Sequence, residues 1–473
     1  MDDSQLIEEL VSIVGPKRVY ADPDQLVRYN GDAYAVQKAM PRAVVIPENT
    51  EEVVQIVKLL NRAGVPFLPR GAGTGLSGGA IPLNHEVVIS MMKMNKLLSV
   101  DFENMRAVVQ PGLVNLKLTR KIQDKGFYYA PDPSSQALCT IGGNFAENAG
   151  GSHCLKYGVT TNHVVAADVV LPNGELVHIG SEFGDQEGYD LLGLLVGSEG
   201  TLGIATAITV KIMKSPEAVK TVLAMFDHLD DASDAVSSII GAGIIPAAME
   251  LMDQATMAAC DKGDSPVGYP TDIDAVVLIE VDGLAAGVVE TSERIVEICE
   301  KHNVRNVKVA ATDEERDLWW QSRKTAFNSV GRTTPNYITL DGVVPRTKLT
   351  QTLSRINELG KQFGFRVSNV FHAGDGNLHP LISYDASVPG ETDKALSLGT
   401  EILKVCVEVG GSITGEHGVG VEKLEHMHYL FTDTDLEAQV DIRSLFNPQD
   451  LCTPGKLIPN PGQCVELKQT WQA

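Results

Sequence analysis

Pro69-Arg70-Gly71-Ala72-Gly73-Thr74-Gly75-Leu76-Ser77-Gly78-Gly79 follows the short apolar run Val65-Pro66-Phe67-Leu68 and holds five glycines in the nine residues from 71 to 79. Upstream, Asn49-Thr50-Glu51-Glu52 is a capping signature ahead of Val53, Val54, Ile56, Val57, Leu59 and Leu60, which predicts a helix ending near Gly64. Downstream, Glu86-Val-Val-Ile-Ser90 reads as a strand. A helix therefore feeds a strand that opens into a bare loop. Gly73-Thr-Gly75-Leu-Ser-Gly78 matches G-x-G-x-x-G, but the dinucleotide reading also needs a helix at the third glycine and an acid about 20 residues later. Gly79-Ala-Ile-Pro-Leu-Asn is a poor first turn, and no Gly-Lys-Ser/Thr follows for an NTPase loop. What remains is a run of uncovered N–H groups suited to a pyrophosphate, with a plain tight surface turn as the alternative.

The 473 residues predict two or three packed domains. Further strands are expected at Ala107–Gln110, Val164–Leu171 and Ile204–Met213. Past Lys214-Ser215-Pro216 the glycine clusters give way to alternating strand-like and helix-like segments at Val219–Phe226, Asp231–Ala242, Val276–Glu280 and Ala285–His302. A boundary is placed there. The turn-rich tail from Phe446 to Lys456 is expected to return to the first domain. With 39 Lys and Arg against 61 Asp and Glu, the net charge of −22 argues against nucleic acid or an anionic bilayer as partner. Seven cysteines without a C-x-x-C pair argue against a disulfide scaffold or an iron–sulfur cluster held by this chain alone. The acidic start at Met1–Leu10 and the lack of a long apolar run predict a cytoplasmic protein, peripheral at a membrane only through a partner.

A second constellation lies at Asn369-Val-Phe-His372-Ala-Gly-Asp375-Gly376-Asn377-Leu-His379-Pro. A two-residue turn at Asp375-Gly376 would set His372 directly opposite His379, with Cβ atoms about 4.5–5.5 Å apart. Gly415-Glu416-His417-Gly418-Val419-Gly420 offers a carboxylate at Glu416, with His417 pointing elsewhere if the segment is extended. Two imidazoles and one carboxylate that leave positions open make a catalytic donor set for zinc, manganese, iron or cobalt. Histidines satisfied within a core or turn are the alternative. Trp319 and Trp320 are adjacent, so at most one is expected to face a core. Cys139 and Cys154 are expected to be small buried hydrophobes, although His153 stands beside the latter.

Taken in order, the glycine loop, Pro131-Asp132-Pro133-Ser134-Ser135, Ile141-Gly142-Gly143-Asn144, Asn148-Ala149-Gly150-Gly151-Ser152, Tyr157-Gly158 and Gly197-Ser198-Glu199-Gly200-Thr201-Leu202-Gly203 resemble the FAD-linked oxidases of the vanillyl-alcohol-oxidase, or PCMH, type. The nearest branch is that of the D-lactate, D-2-hydroxyglutarate and glycolate dehydrogenases, and the likeness covers nearly the whole chain. It implies an α+β fold. Residues 1–215 would form a PCMH-type FAD-binding domain, 216–425 a substrate (cap) domain of the FAD-linked oxidase C-terminal type, and 426–473 a segment returning to the FAD domain. FAD would be held noncovalently, since the loop has no histidine, by Pro69, Arg70, Gly71, Ala72, Gly73, Thr74, Gly75, Leu76, Ser77, Gly78, Pro133, Ser134, Ser135, Gly142, Gly143, Asn144, Gly150, Gly151, Ser152, Tyr157, Gly158, Glu199, Gly200, Gly203, Ile204 and Asn447.

The same resemblance makes His372, His379 and Glu416 ligands of a divalent metal, usually zinc, and His417 the general base. Arg323, in Leu318-Trp-Trp-Gln-Ser-Arg323, would clamp the substrate carboxylate, with Asn377 hydrogen-bonding the substrate. The reaction would be oxidation of a short 2-hydroxy acid, with electrons leaving to a quinone, an iron–sulfur partner subunit or a soluble carrier, in a homo- or hetero-oligomer. In the D-2-hydroxyglutarate branch a lysine is expected two residues before the aspartate that Asp341 resembles; here Thr339 stands there, which favours glycolate or D-lactate. A metal-dependent hydrolase using His372, His379, Glu416 and a water, and a non-catalytic FAD-binding subunit, are the competing readings.

Overall fold

The computed structural model describes residues 1–181 and 188–459, so Cys464 and the end of the C-terminal segment lie outside the described residues. The described chain divides into two compact units: Met1–Gly150, Val159–Ser215 and the chain from Glu416 onward form one, and Gly151–Gly158 with Pro216–Gly415 the other.

In the first unit the helix Thr50–Ala63 begins where the Asn49 side chain accepts a hydrogen bond from Glu52 N and ends at Gly64 in the left-handed region. Its buried stripe, Val53 to Leu60, covers a four-stranded sheet in the order Val19–Tyr20, Ala43–Val45, Val87–Ser90, Phe67–Arg70. The last three strands run parallel, which brings the Arg70 end of Phe67–Arg70 beside Ser90. No helix starts at the third glycine, so the dinucleotide-type reading fails in the structure as it does on sequence context; the chain runs from the loop to the strand Val87–Ser90. A second sheet is antiparallel, in the order Leu97–Asp101, Arg106–Val109, Ile204–Lys211, Val164–Val170, Leu176–Gly180. The tail joins this unit at the first sheet's edge: Phe67 N donates to Leu451 O and Thr453 N to Phe67 O.

The second unit is built on a mixed-length antiparallel sheet whose order is Val304–Val309, Ala218–Phe226, Ala275–Gly283, Ala248–Asp253, Arg366–His372, Asn377–Leu378, Gly342–Val343, with Pro380–Tyr384 also pairing with Arg366–His372. Its central strand is a run of buried apolar residues from Ala275 to Ile279, broken by the buried Glu280. Trp319 and Trp320, on the helix Asp313–Lys324, are both buried, correcting the expectation that at most one would be. Adjacent helical side chains diverge by about 100°, and this helix is covered on both of the faces concerned. Trp320 Nε1 also donates to the buried Glu280 at 2.6 Å.

Two boundaries differ from the sequence-based ones. The chain passes between units at Gly415–Glu416, not after 425, because Glu199 accepts hydrogen bonds from Val419 N and Gly420 N (both 2.7 Å) and Ser77 O accepts from Val421 N and Glu422 N. Residues 151–158 join the second unit because the Tyr157 hydroxyl donates to Asp282 (2.6 Å), Lys156 pairs with Asp282, and His153 stands 3.3 Å from Glu280.

Candidate functional site

In the first unit the loop Gly71–Gly79 projects beyond the parallel strands. Among the described residues no backbone N–H from Gly71 to Gly79 donates to a protein acceptor. A run of backbone donors this long is rarely left unsatisfied, so the loop fits an anionic group such as the pyrophosphate of FAD. The loop is shaped from behind. Arg70 is buried and donates to Ala80 O (2.8 Å) and Gly31 O (2.7 Å), closing the loop's return. Gly73, at φ +70°, lies against that guanidinium, where a Cβ would come 2.2 Å from Arg70 Nη2. Lys456 donates to Gly79 O (2.8 Å) and Ile81 O (2.5 Å), and burial lowers its pKa to about 8 despite nearby carboxylates.

The remaining expected flavin residues of this unit fall into two groups. Ala72, Thr74, Gly75 and Leu76 are half-buried, whereas Ser77 and Gly78 are covered; the loop of Pro133, Ser134 and Ser135 leaves Ser134 exposed. Others are taken up by the protein itself. Gly71 faces Thr140 Oγ1, which also caps the helix Ile141–Glu147 by accepting from Gly143 N (3.2 Å). Gly142 is bare because a Cβ there would meet Pro111, Gly200 because of Pro69, and Gly203 because of Val169 and Val170; Ile204 is strand core. Asn144 accepts from Asn115 (2.9 Å). Asn447 donates to Thr201 O and Cys452 O and accepts from Leu451 N and Cys452 N. Gly150 is buried at the end of this unit's first segment, while Gly151, Ser152, Tyr157 and Gly158 belong to the second unit.

The strap Gly418-Val419-Gly420 is anchored by acids. The Glu199 carboxylate receives its two N–H groups, and a Cβ on Gly418 would lie 2.4 Å from Glu147 Oε2. Burial, then the charge of Glu199, raises the Glu147 carboxyl well above the ordinary range. Glu416 and His417 stand immediately before this strap, their side chains 3.7 Å apart.

In the second unit the turn after His372 spans four residues, 373–376, closed by Gly376 N to His372 O (3.2 Å). His372 therefore faces Asn377, and the same register, Asn369 opposite Pro380, sets His379 against Val370. This corrects the expectation of a two-residue turn with the histidines directly opposed. They are diagonal neighbours on one face, and the rings still converge edge to face with centroids 5.1 Å apart. His372 Nδ1 lies 2.7 Å from Glu250 Oε1, and His379 Nδ1 is 3.3 Å from Leu340 O. Arg323 is buried with its Nη2 against Glu250 Oε2. Burial pushes the Glu250 carboxyl up, but Arg323 and His372 outweigh it and hold it below its ordinary value. Asn377 Oδ1 is buried and accepts no hydrogen bond from the described residues. Asp341 Oδ2 accepts from Thr414 Oγ1 (2.6 Å) and Gly415 N (2.9 Å), so the peptide leading into Glu416 is pinned. Within this unit the two imidazoles, each oriented through Nδ1, have the donor chemistry of metal ligands.

Glu250, Asp341, Glu147 and Lys456 escaped the sequence reading as working residues. Glu250 sits in a strand, Ala-Met-Glu-Leu-Met-Asp, where one acid among apolar residues was the available signal.

The fold and the bare loop define a flavin-dependent oxidoreductase. The chain belongs to the FAD-linked oxidase family: residues 215–457 match the model of FAD linked oxidases, C-terminal domain, and residues 41–180 the FAD binding domain. It is 43% identical over 444 residues, 94% of this chain and 89% of the relative, to glycolate oxidase subunit GlcD of Escherichia coli (strain K12). It is 33% identical to D-lactate dehydrogenase of Anaerostipes hadrus over 96% of this chain and 97% of the relative. Among solved structures, p-cresol methylhydroxylase superposes with a TM-score of 0.82 at 17% identity, over 96% of this chain and 97% of that one, which supports the PCMH-type fold.

Proposed function

We propose that this chain oxidises a short 2-hydroxy acid, glycolate or D-lactate, to the 2-oxo acid. The observation that carries the reading is the buried pair His372–His379 with Arg323 tied to it through Glu250, in a chain of the FAD-linked oxidase family. FAD, held noncovalently by the Gly71–Gly79 loop, supplies the two-electron acceptor. His372, His379 and Glu416 hold a divalent metal, zinc or a similar ion, which lowers the pKa of the substrate hydroxyl. Arg323 binds the carboxylate and Asn377 hydrogen-bonds the substrate. His417 accepts the hydroxyl proton as the α-hydrogen leaves with its electron pair. Thr339 in place of a lysine leaves a second substrate carboxylate without its expected partner, which favours glycolate and D-lactate over D-2-hydroxyglutarate.

The relatives named as a glycolate oxidase subunit and a D-lactate dehydrogenase support this substrate class. The metal-hydrolase reading leaves the glycine motifs and the FAD binding domain without a role. The word subunit in one relative's name favours a hetero-oligomer, and the electrons leave to a quinone, an iron–sulfur partner subunit or a soluble carrier. No helix of the described residues is long and apolar enough to cross a membrane.

The test is anaerobic titration of the yellow protein with glycolate, D-lactate, L-lactate and D-2-hydroxyglutarate, before and after chelation. Flavin bleaching by glycolate or D-lactate that chelation abolishes is expected. Bleaching by D-2-hydroxyglutarate alone refutes the substrate assignment, and bleaching that survives complete metal removal refutes the metal.

A further inference from the structure

We infer that Glu250 is a positioning residue that orients His372 and Arg323 from a single carboxylate; this deepens the reading above and rests on it. Glu250 and His372 are register partners on adjacent antiparallel strands, so their side chains leave the sheet side by side. Oε1 lies 2.7 Å from His372 Nδ1, and Oε2 meets Arg323 Nη2. All three side chains are at least 96% buried, with exposures of 0%, 4% and 1%. A buried ion pair is weak evidence for stability, because desolvating both charges offsets their attraction. Its placement suits a different purpose.

An Nδ1–H donated to Oε1 selects the tautomer whose Nε2 carries the lone pair, and it stops the ring from turning about its χ2 bond. His379 is oriented in the same sense by Leu340 O, so both imidazoles offer Nε2. On the other side, Glu250 holds the Arg323 fork through one terminal nitrogen. The guanidinium has five N–H donors in a fixed plane, so one anchored edge leaves another edge aimed for a carboxylate. One carboxylate thus sets the distance between the metal ligand and the anion anchor, which is the distance a 2-hydroxy acid must span with its hydroxyl and carboxylate.

The test uses the flavin-loaded, chelator-stripped protein titrated with Co²⁺ alone and followed by ligand-field absorbance, then steady-state kinetics with glycolate and D-lactate. In Glu250→Gln, Co²⁺ binding is expected to weaken by about 10–100-fold with altered bands, while kcat falls and KM for glycolate rises because Arg323 loses its orientation too. Glu250→Asp restores part of both. A merely structural role would instead lower flavin content and melting temperature while leaving the Co²⁺ spectrum of the folded fraction unchanged. Should Glu250→Gln not fold, the double variant Glu250→Gln/Arg323→Met removes the stranded cation, and the same loss of Co²⁺ affinity is expected. Wild-type Co²⁺ affinity and spectrum in the folded variants overturn the inference alone. A wild-type protein that takes up no Co²⁺ overturns the metal reading and the inference with it.

Discussion

Gly73→Ala should damage the flavin loop through one identifiable contact. Gly73 sits at φ +70°, and its Cβ would stand 2.2 Å from Arg70 Nη2 and 2.7 Å from Arg70 Cζ. The left-handed backbone alone costs an alanine about 1–2 kcal/mol. The methyl must also push the guanidinium off Ala80 O and Gly31 O, two hydrogen bonds from a charged donor worth roughly 1.5–3 kcal/mol each. Gly126 separates the two costs, since it has φ +76° with nothing within 4 Å of its Cβ position. Gly73→Ala should therefore exceed Gly126→Ala by about 3–6 kcal/mol, or at least roughly 6 °C in Tm at about 2–4 °C per kcal/mol. Flavin retention on desalting should fall with it, because Arg70 no longer closes the loop's return at Ala80. Melting curves read by flavin fluorescence, with and without added FAD, measure both quantities. Equal Tm and equal FAD affinity in the two variants would refute the role given to Arg70.

Arg323→Lys replaces the planar fork with a point charge, and KM for glycolate should rise by about tenfold or more with flavin content unchanged; an unaltered KM removes Arg323 as the carboxylate anchor. His379→Ala should deplete bound metal, measured by elemental analysis, and abolish substrate bleaching while the flavin spectrum persists. Thr339→Lys is expected to raise kcat/KM for D-2-hydroxyglutarate relative to glycolate, and a ratio that does not move would break the substrate argument. Glu280, opposed by burial but bonded to His153 and Arg316, has its pKa lowered to about 2. A depressed carboxylate stabilises the fold above its ordinary pKa, near 4.5, and loses that contribution as pH falls toward 2, a loss of about 3 kcal/mol. Glu280→Gln should lack that acid-sensitive component when unfolding is followed by tryptophan fluorescence between pH 5 and 3.

Local periodicity and capping carried much of the fold. The Asn49 cap, the stripe Val53–Leu60 and the stop at Gly64 specify a helix without outside help, and the proline at position 82 with bare glycines before it excluded a helix after the loop. These depend on neighbours within a turn or two of chain. The histidine register did not, because the extra residues of the turn at 373–376 are set by the pairing of Asn377 with both His372 and Val343, which lies far back in the chain. Glu250 was invisible for the same reason: its meaning comes from His372, 122 residues away. Sequence alone determined that a flavin-type glycine loop and a histidine–carboxylate set stand on one chain, since each is written in contiguous residues. Tertiary structure decided which side chains shape the site from behind, Arg70, Asn447 and Glu250 among them, because a buried charge or amide is satisfied only by partners that folding brings within hydrogen-bond reach.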